Sequence, residues 1–133
     1  MMISTRGRYA LRVIIDMAEH ENDGFIPLKD IAHRQNISQK YMEGIMTVLS
    51  KSGFVEAQHG KGGGYRLNRS PAEYNLGEIL RLTEGSLAPV ACLDCEAAPC
   101  NQAAECRTLP VWAHLNTLIN DDLDSVTIAD LMK

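Results

Sequence analysis

Hydrophobic residues recur at the spacing of an α-helix in three consecutive segments of the N-terminal half. The first helix runs from about residue 8 to residue 20, the second is opened by Pro27, and the third extends from its N-cap Ser38 to about residue 52. Proline is favoured at the start of a helix, and serine is a favourable N-cap. The residues that this pattern turns inward are Ala10, Val13, Ile14, Met17 and Ala18, then Leu28, Ile31 and Ala32, and finally Met42, Ile45 and Leu49.

Two short segments after the third helix, FVEAQ and YRLNR, predict β-strands. The run HGKGGG between them is rich in glycine, which permits positive φ angles and a thin loop whose backbone can approach a partner closely. Helix, helix, turn, helix and glycine-tipped hairpin is the order of a winged helix-turn-helix. We therefore expect a mainly α protein with a DNA-binding domain of this class over residues 1–85.

The C-terminal half continues with helices. NLGEILRLTEG predicts a fourth helix with a capping box formed by Asn75 and Glu78 and a stop at Gly85. Residues 86–107 predict an irregular cysteine-rich loop, and residues 108–133 predict a long helix followed by a short amphipathic one. These boundaries divide the chain into a DNA-binding domain, a sensor loop and a dimerisation region.

The long helix has an unusually broad apolar stripe that begins at Val111. A stripe of this width can face the domain on one side and a second subunit on the other, although plain packing in the core is the alternative. The predicted dimerisation residues are Trp112, Leu115, Leu118, Ile119 and Leu123.

The size of the chain, 133 residues with 45% hydrophobic positions, suits one domain or one domain with an appended element. The start, MMISTRGRYALR, lacks the uninterrupted apolar segment of a signal peptide, and no apolar run is long enough for a membrane span. We therefore expect a cytoplasmic protein in a reducing compartment.

The net charge of −4 alone argues against a nucleic-acid partner, but the charge is unevenly distributed. Residues 1–70 carry ten Lys and Arg against seven Asp and Glu, whereas residues 71–133 carry three against ten. This asymmetry favours an N-terminal half that meets an anion. Ordinary variation of surface charge is the alternative.

The second helix of a helix-turn-helix enters the major groove, where its N-terminal side chains reach base edges. Glutamine can pair with adenine, and glutamate can accept from cytosine N4. Lysine and arginine suit phosphate contacts, which fix position but carry little sequence information. The same scaffold also serves in protein–protein interaction, so this reading has an alternative. The predicted DNA-binding residues are Arg6, Arg8, Tyr9, Ser38, Gln39, Lys40, Tyr41, Glu43, Thr47, Lys51, His59, Lys61, Gly62, Gly63 and Tyr65.

All four cysteines lie in the segment ACLDCEAAPCNQAAEC. In a reducing compartment, clustered cysteines are more often metal ligands or redox groups than structural disulfides. Thiolates suit iron–sulfur clusters, zinc or Cu(I), and a thiol or disulfide switch without metal remains open. A thiol oxidoreductase is disfavoured, because CLDC does not begin a helix on a βαβ unit and the four histidines are scattered. We therefore expect no enzyme activity.

Several motifs together resemble the IscR/NsrR group of bacterial transcription regulators, the Rrf2 family. They are STRGRYALR, PLKDIAHRQNIS, YMEGIMTVLSKSGFVEAQHGKGGGYRL, GEILRLTEG and C-x-T-x-x-VW, and they span nearly the whole chain. The resemblance implies a homodimeric winged-helix regulator that binds a near-palindromic double-stranded operator, and it leaves open whether the protein is a repressor or an activator. In many members an iron–sulfur cluster on a three-cysteine loop controls that binding.

Cys95, Cys100 and Cys106 match the three-cysteine loop of the family, and Cys92 is additional. Some relatives have a histidine ligand where this chain has Leu109, and others have an acidic ligand in the region that here carries Arg8. We therefore expect Cys92 to complete a site of four thiolates.

A [4Fe–4S] cluster is favoured over [2Fe–2S], because each of four cysteines can hold one iron, and zinc is a minor alternative. The expected signals are iron limitation, redox change or nitric oxide. The wing base has His59 where relatives often have arginine, so the sequence preference can differ. The alternative function is a regulator of the same fold, of the cysteine-metabolism type, that is controlled by thiol oxidation or by a partner protein.

Overall fold

Helices carry most of the fold in the computed structural model, which describes residues 2–94 and 100–133. The order confirms the predicted mainly α winged helix-turn-helix. The elements are α1 (Thr5–Glu19), α2 (Leu28–Gln35), α3 (Gln39–Lys51), β1 (Val55–Gln58), β2 (Gly64–Leu67), α4 (Leu76–Glu84), α5 (Leu109–Ser125) and α6 (Ile128–Leu131), with short 3₁₀ turns at Glu21–Asp23, Pro71–Glu73 and Ala91–Leu93.

The start of α1 lies at Thr5, earlier than the periodicity predicts. The reason is local: the hydroxyl of Ser4 accepts from the backbone N–H of Gly7 at 3.2 Å and caps the helix. Ser38 caps α3 in the same way, as predicted, by accepting from the N–H of Tyr41 at 3.2 Å. N-capping thus determines where both helices begin.

The predicted capping box of α4 is only half present. Asn75 Oδ1 accepts from the N–H of Glu78 at 2.8 Å, but the Glu78 carboxylate lies 3.4 Å from Arg69 Nη1. The Arg69 guanidinium also covers the rings of Phe54 and Tyr74, at 4.7 and 5.0 Å from their centroids. The carboxylate therefore pairs with a charge from the loop before α4 rather than with the end of its own helix.

The predicted core is confirmed. Every residue expected to face inward from α1, α2 and α3 is buried, except Leu28, which is half-buried. Ile128 of α6 joins the same core, so the C-terminal end packs against the N-terminal helices. Other core members are Ile26, Ile37, Met46, Phe54, Val55, Tyr74 and Ile79.

The wing is an antiparallel hairpin in which Val55 lies opposite Leu67. Its base is joined to the segment before α2, because Ile26 and Tyr65 exchange backbone hydrogen bonds of 2.8 and 2.9 Å. Gly64 permits this approach: a Cβ there would lie 2.2 Å from the carbonyl oxygen of Ile26. The position of the wing relative to α2 therefore depends on a tertiary contact.

The long helix α5 packs against α4 but has no fully buried residue in the isolated chain. Arg81 of α4 donates to Asp124 Oδ1 at 2.6 Å and to Asn120 Oδ1 at 3.1 Å.

Among the described residues, no helix is long and apolar enough to cross a bilayer.

Candidate nucleic-acid interface and cysteine segment

A groove of about 580 Å³ separates α3 from the wing. We call it the α3–wing groove. It gathers six of the residues predicted to bind DNA, which come from α3, from the loop of the hairpin and from β2: Gln39, Glu43, Thr47, His59, Gly63 and Tyr65.

The α3 side of this groove presents polar side chains to solvent. Gln39, Glu43 and Thr47 are all exposed. The Thr47 hydroxyl donates to the backbone carbonyl of Glu43 at 2.8 Å, so its hydrogen is already used within the helix. Gln39 and Glu43 are therefore the side chains best placed to donate to or accept from a ligand in the groove.

A second groove, of about 520 Å³, lies beside the first turns of α1 and α3. Arg6 and Lys40 are exposed and give this groove positive charge, and Ile45 contributes an apolar wall. Tyr41 joins the two helices, because its ring meets that of Tyr9 edge to face with centroids 5.7 Å apart. The remaining lining residues are Ser38 and Gly44.

The other predicted DNA-binding residues, Arg8, Tyr9, Lys51, Lys61 and Gly62, do not line either groove. Arg8 is exposed, and its Nη2 donates to Thr5 Oγ1 at 3.1 Å. Lys51 is exposed in the last turn of α3, and Lys61 and Gly62 are exposed in the loop at the tip of the wing. These cations have the exposure that phosphate contacts require.

Lys29 and Gln58 line the α3–wing groove, and sequence reasoning missed both. Lys29 is an exposed cation in the first turn of α2, and the pairing of Ile26 with Tyr65 brings that turn to the wing. A basic residue just after the helix-opening Pro27 was the available signal. The pairing that makes it relevant has no signature in helical periodicity.

A buried carboxylate holds the helix-turn-helix on α1. Asp16, only 3% exposed, accepts from Arg34 Nη2 at 2.6 Å and from Gln35 Nε2 at 2.9 Å. Burial is the largest single influence and raises the pKa of Asp16, but the hydrogen bonds from Arg34 and Gln35 with the charge of Arg34 together lower it below its usual value. The charged form of Asp16 therefore stabilises the junction of α1 with α2.

The cysteine segment lies between the end of α4 and the start of α5. Cys92, Cys100 and Cys106 are exposed free thiols, and Cys95 lies outside the described residues. The Cys106 sulfur is 3.5 Å from Thr108 Oγ1, just before α5 begins. The Thr108 hydroxyl, with the backbone N–H groups of Thr108 and Leu109, lowers the pKa of the Cys106 thiol and so favours its thiolate.

These donors fit a thiolate-bound centre in kind, since soft sulfur ligands and a thiol biased toward its thiolate suit iron–sulfur or zinc. In residues 2–94 and 100–133, no three His, Cys, Asp or Glu side chains are already gathered as a metal site. Binding of one cluster by Cys92, Cys100 and Cys106 would therefore require these three thiols to lie closer together.

The chain is similar to known transcriptional regulators in sequence and in fold. Residues 3–133 match the family model described as "Rrf2: Iron-dependent Transcriptional regulator". The chain is 35% identical over 132 residues to the HTH-type transcriptional regulator IscR of Aliivibrio salmonicida, covering 99% of this chain and 77% of that protein. The solved structure of CymR, the global cysteine regulator of B. subtilis, has 34% identity and a TM-score of 0.79, with 98% of this chain and 95% of that chain covered. IscR of T. potens has 34% identity and a TM-score of 0.74, with 98% and 85% covered.

Proposed function

The chain belongs to the Rrf2 family of transcriptional regulators, and from this premise we propose that it is a homodimer that reads a near-palindromic operator under the control of an iron–sulfur cluster. The observation that carries the operator-reading part is the α3–wing groove, which gathers exposed polar side chains of α3 opposite a glycine-rich loop.

In this proposal α3 enters the major groove of DNA. Gln39 and Glu43 then face base edges, because both are exposed on the N-terminal part of the helix. Lys29, which lines the α3–wing groove, and the exposed Lys61 at the tip of the wing then contact phosphates. This division separates residues that read sequence from residues that supply affinity.

Two substitutions test this division. Glu43→Ala should change base preference more than overall affinity, because it removes an acceptor for cytosine N4. Lys61→Ala should weaken binding to all duplexes and lower the slope of log affinity against log salt by about one. Both are measured by titrating duplexes of varied sequence at several salt concentrations. Equal losses for Glu43→Ala on every sequence, or an unchanged slope for Lys61→Ala, would contradict the assigned roles.

The exposed part of the α5 stripe supports a homodimer. Val111, Leu118 and Leu115 are 57%, 52% and 37% exposed, although they are apolar, while Trp112, Ile119 and Leu123 are half-buried. A second copy of α5 would remove this apolar surface from water. To read successive major grooves, the two α3 helices of such a dimer would have to lie about 34 Å apart.

The ligands we propose for the cluster are Cys92, Cys95, Cys100 and Cys106, with [4Fe–4S] favoured over [2Fe–2S] and zinc as a minor alternative. When bound, the cluster supplies a centre that iron limitation, oxygen or nitric oxide can remove. Binding of the cluster would then favour one arrangement of α4 and α5. Arg81 and Asp124 connect these two helices directly.

A second candidate is a regulator of the same fold that holds no cluster and responds to thiol oxidation or a partner protein. The exposed free thiols and the lowered pKa of Cys106 favour it. The similarity to CymR is compatible with it as well. Both candidates share the operator-reading surface and differ only in how the cysteine segment acts.

Purification without oxygen, followed by an absorption spectrum and counts of iron, zinc and sulfide, distinguishes the candidates. We expect a coloured protein with iron and sulfide in equal amounts, and the colour should be lost in Cys106→Ala while the helical circular dichroism is kept. A colourless protein without metal would favour the thiol switch, and a retained cluster spectrum in Cys106→Ala would remove that residue from the ligand set. Equal operator binding by the cluster-loaded and cluster-free protein would refute the control mechanism.

A further inference from the structure

Arg12 contacts the end of α2 from the middle of α1. Its Nη2 donates to the backbone carbonyl of Gln35, and its Nε donates to Gln35 Oε1 at 3.2 Å. Gln35 is the last residue of α2, where backbone carbonyls lack partners within the helix. Asn36 follows in the left-handed conformation, with φ 55°, and begins the turn toward α3. Arg12 therefore holds the point at which the helix-turn-helix changes direction.

The same guanidinium also reaches the first turn of α3 through an aromatic pair. Its carbon lies 5.0 Å from the centroid of the Tyr9 ring, which meets Tyr41 edge to face. Tyr41 lies in the first turn of α3 and lines the second groove beside Lys40. One side chain thus contacts α1, the end of α2 and, through Tyr9, the start of α3.

We propose that Arg12 is the positioning residue that fixes the orientation of α3 relative to α1. This inference rests on the proposed operator reading, because it concerns how α3 is presented to base edges. Arg12 acts through Gln35 and Tyr9 rather than by touching DNA. Its fork of N–H donors and its flat face make these contacts together, and a lysine cannot do so.

Three roles for Arg12 predict different effects on specificity. A phosphate contact lowers operator and non-specific affinity together and reduces the salt slope by about one. A role in general stability lowers the folded fraction, so both affinities fall by the same factor. A positioning role lowers operator affinity while non-specific affinity and the salt slope stay unchanged, because backbone contacts tolerate a rotated α3 whereas base contacts do not.

The test begins with the wild-type protein and a pool of random duplexes, from which its preferred site is selected. Arg12→Met and Arg12→Lys are then titrated against that site and against an unrelated duplex at several salt concentrations. We expect both variants to lose about tenfold in the ratio of specific to non-specific affinity, the factor that one charge-assisted hydrogen bond supplies. Their salt slopes should equal that of the wild type.

Arg66→Met is the matched control. Arg66 also covers an aromatic ring, that of Phe25 at 4.3 Å, and also donates to a side chain, Glu56 at 2.7 Å. Neither partner lies in α3 or in the turn before it. The ratio of specific to non-specific affinity should therefore be the same as in the wild type. A similar loss of this ratio in Arg66→Met would overturn the assignment to Arg12.

Further outcomes would also overturn the inference. If Arg12→Met keeps the wild-type ratio of specific to non-specific affinity, the contacts of Arg12 do not orient α3. If Arg12→Lys binds like the wild type while Arg12→Met has a lower salt slope, Arg12 contacts a phosphate instead. Adding Gln35→Ala to Arg12→Met should lower the specificity ratio by less than the product of the two single losses, because the bond from Arg12 Nε to Gln35 Oε1 can be lost only once; independent effects would contradict a role for that bond. If the wild type selects no site, the proposed operator reading fails before any variant is compared.

Discussion

The hydroxyl of Ser4 donates to Glu84 Oε1 at 2.6 Å, and the backbone N–H of Ser4 reaches the same oxygen at 3.2 Å. This contact joins the N-terminus of α1 to the last residue of α4. Gly85 follows at once and begins the connection to the cysteine segment. The helix that carries Arg6 and Arg8 is therefore anchored directly beside that segment.

Ser4→Ala should lower the free energy of unfolding by about 2 kcal/mol, because it removes an N-cap and a charge-assisted hydrogen bond. Ser38→Ala is the matched control, since Ser38 caps α3 but has no bond to a carboxylate among its described contacts. It should cost only about 1 kcal/mol. Urea denaturation followed by circular dichroism measures both values. Equal losses would show that the bond to Glu84 contributes nothing to stability.

Gly7→Ala should destabilise the protein by about 1 kcal/mol, although alanine favours helices more than glycine does. A Cβ at Gly7 would lie 2.2 Å from Glu84 Oε1 and 3.2 Å from both Leu80 Cδ2 and Thr83 Oγ1, so the Glu84 carboxylate must swing away and lose its hydrogen bonds to Ser4. The control is Gly44→Ala in α3, where a Cβ has no neighbour within 4 Å among the described residues. That change should instead stabilise by up to about 1 kcal/mol. Thermal unfolding of the two variants should shift in opposite directions, and a shift of the same sign would contradict the close packing.

Asp16→Asn should lower the free energy of unfolding at pH 7 by about 2 kcal/mol, less than for a fully buried pair because Arg34 is 33% exposed. The pKa of Asp16 is lowered in the folded state. Its charged form therefore stabilises the protein at pH values above the pKa of about 3.9 that aspartate has in the unfolded chain. This contribution disappears as the pH falls through the folded pKa. Urea titrations between pH 7 and pH 3 should therefore show that the free energy of unfolding falls less with decreasing pH in the variant than in the wild type.

Glu56→Gln is the control for this pH dependence. Glu56 pairs with Arg66 at 2.7 Å, but the two side chains are 45% and 50% exposed. An exposed pair of this kind contributes about 0.5 kcal/mol. If Asp16→Asn behaves like Glu56→Gln, the Asp16 carboxylate does not hold α2 on α1.

Leu118→Glu should abolish the proposed dimer and reduce operator affinity at least tenfold, because a charge would be placed in the apolar surface that α5 exposes. Analytical ultracentrifugation measures the oligomeric state, and circular dichroism confirms that the monomer keeps its helices. Thr117→Glu adds the same charge one residue earlier, where the native side chain is polar and exposed. A dimer that survives Leu118→Glu would show that this stripe is not the interface, and a loss of the dimer in both variants would show that the effect is not specific to the apolar stripe.

Local signals accounted for the elements and the core of the N-terminal half. Helical periodicity identified the buried residues of α1, α2 and α3, and Ser38 marked the start of α3 correctly. The start of α1 lies earlier than periodicity predicts, because its cap, Ser4, precedes the first periodic apolar residue. Glu78 does not complete the predicted capping box, because Arg69 from the preceding loop competes for its carboxylate.

The sequence by itself determined the fold class, because periodicity and turn residues are local properties of the chain, and its motifs indicated the family by their resemblance. The side chains for DNA and for metal are predictions from the same local signals. Only the tertiary structure decided that Lys29 lies in a groove with the wing, that Ser4 meets Glu84 and that Arg12 reaches the end of α2. Each of these contacts joins residues that are far apart in sequence or lie on different helices. Their pairing follows from how the packed core orients those helices, and no local pattern encodes it.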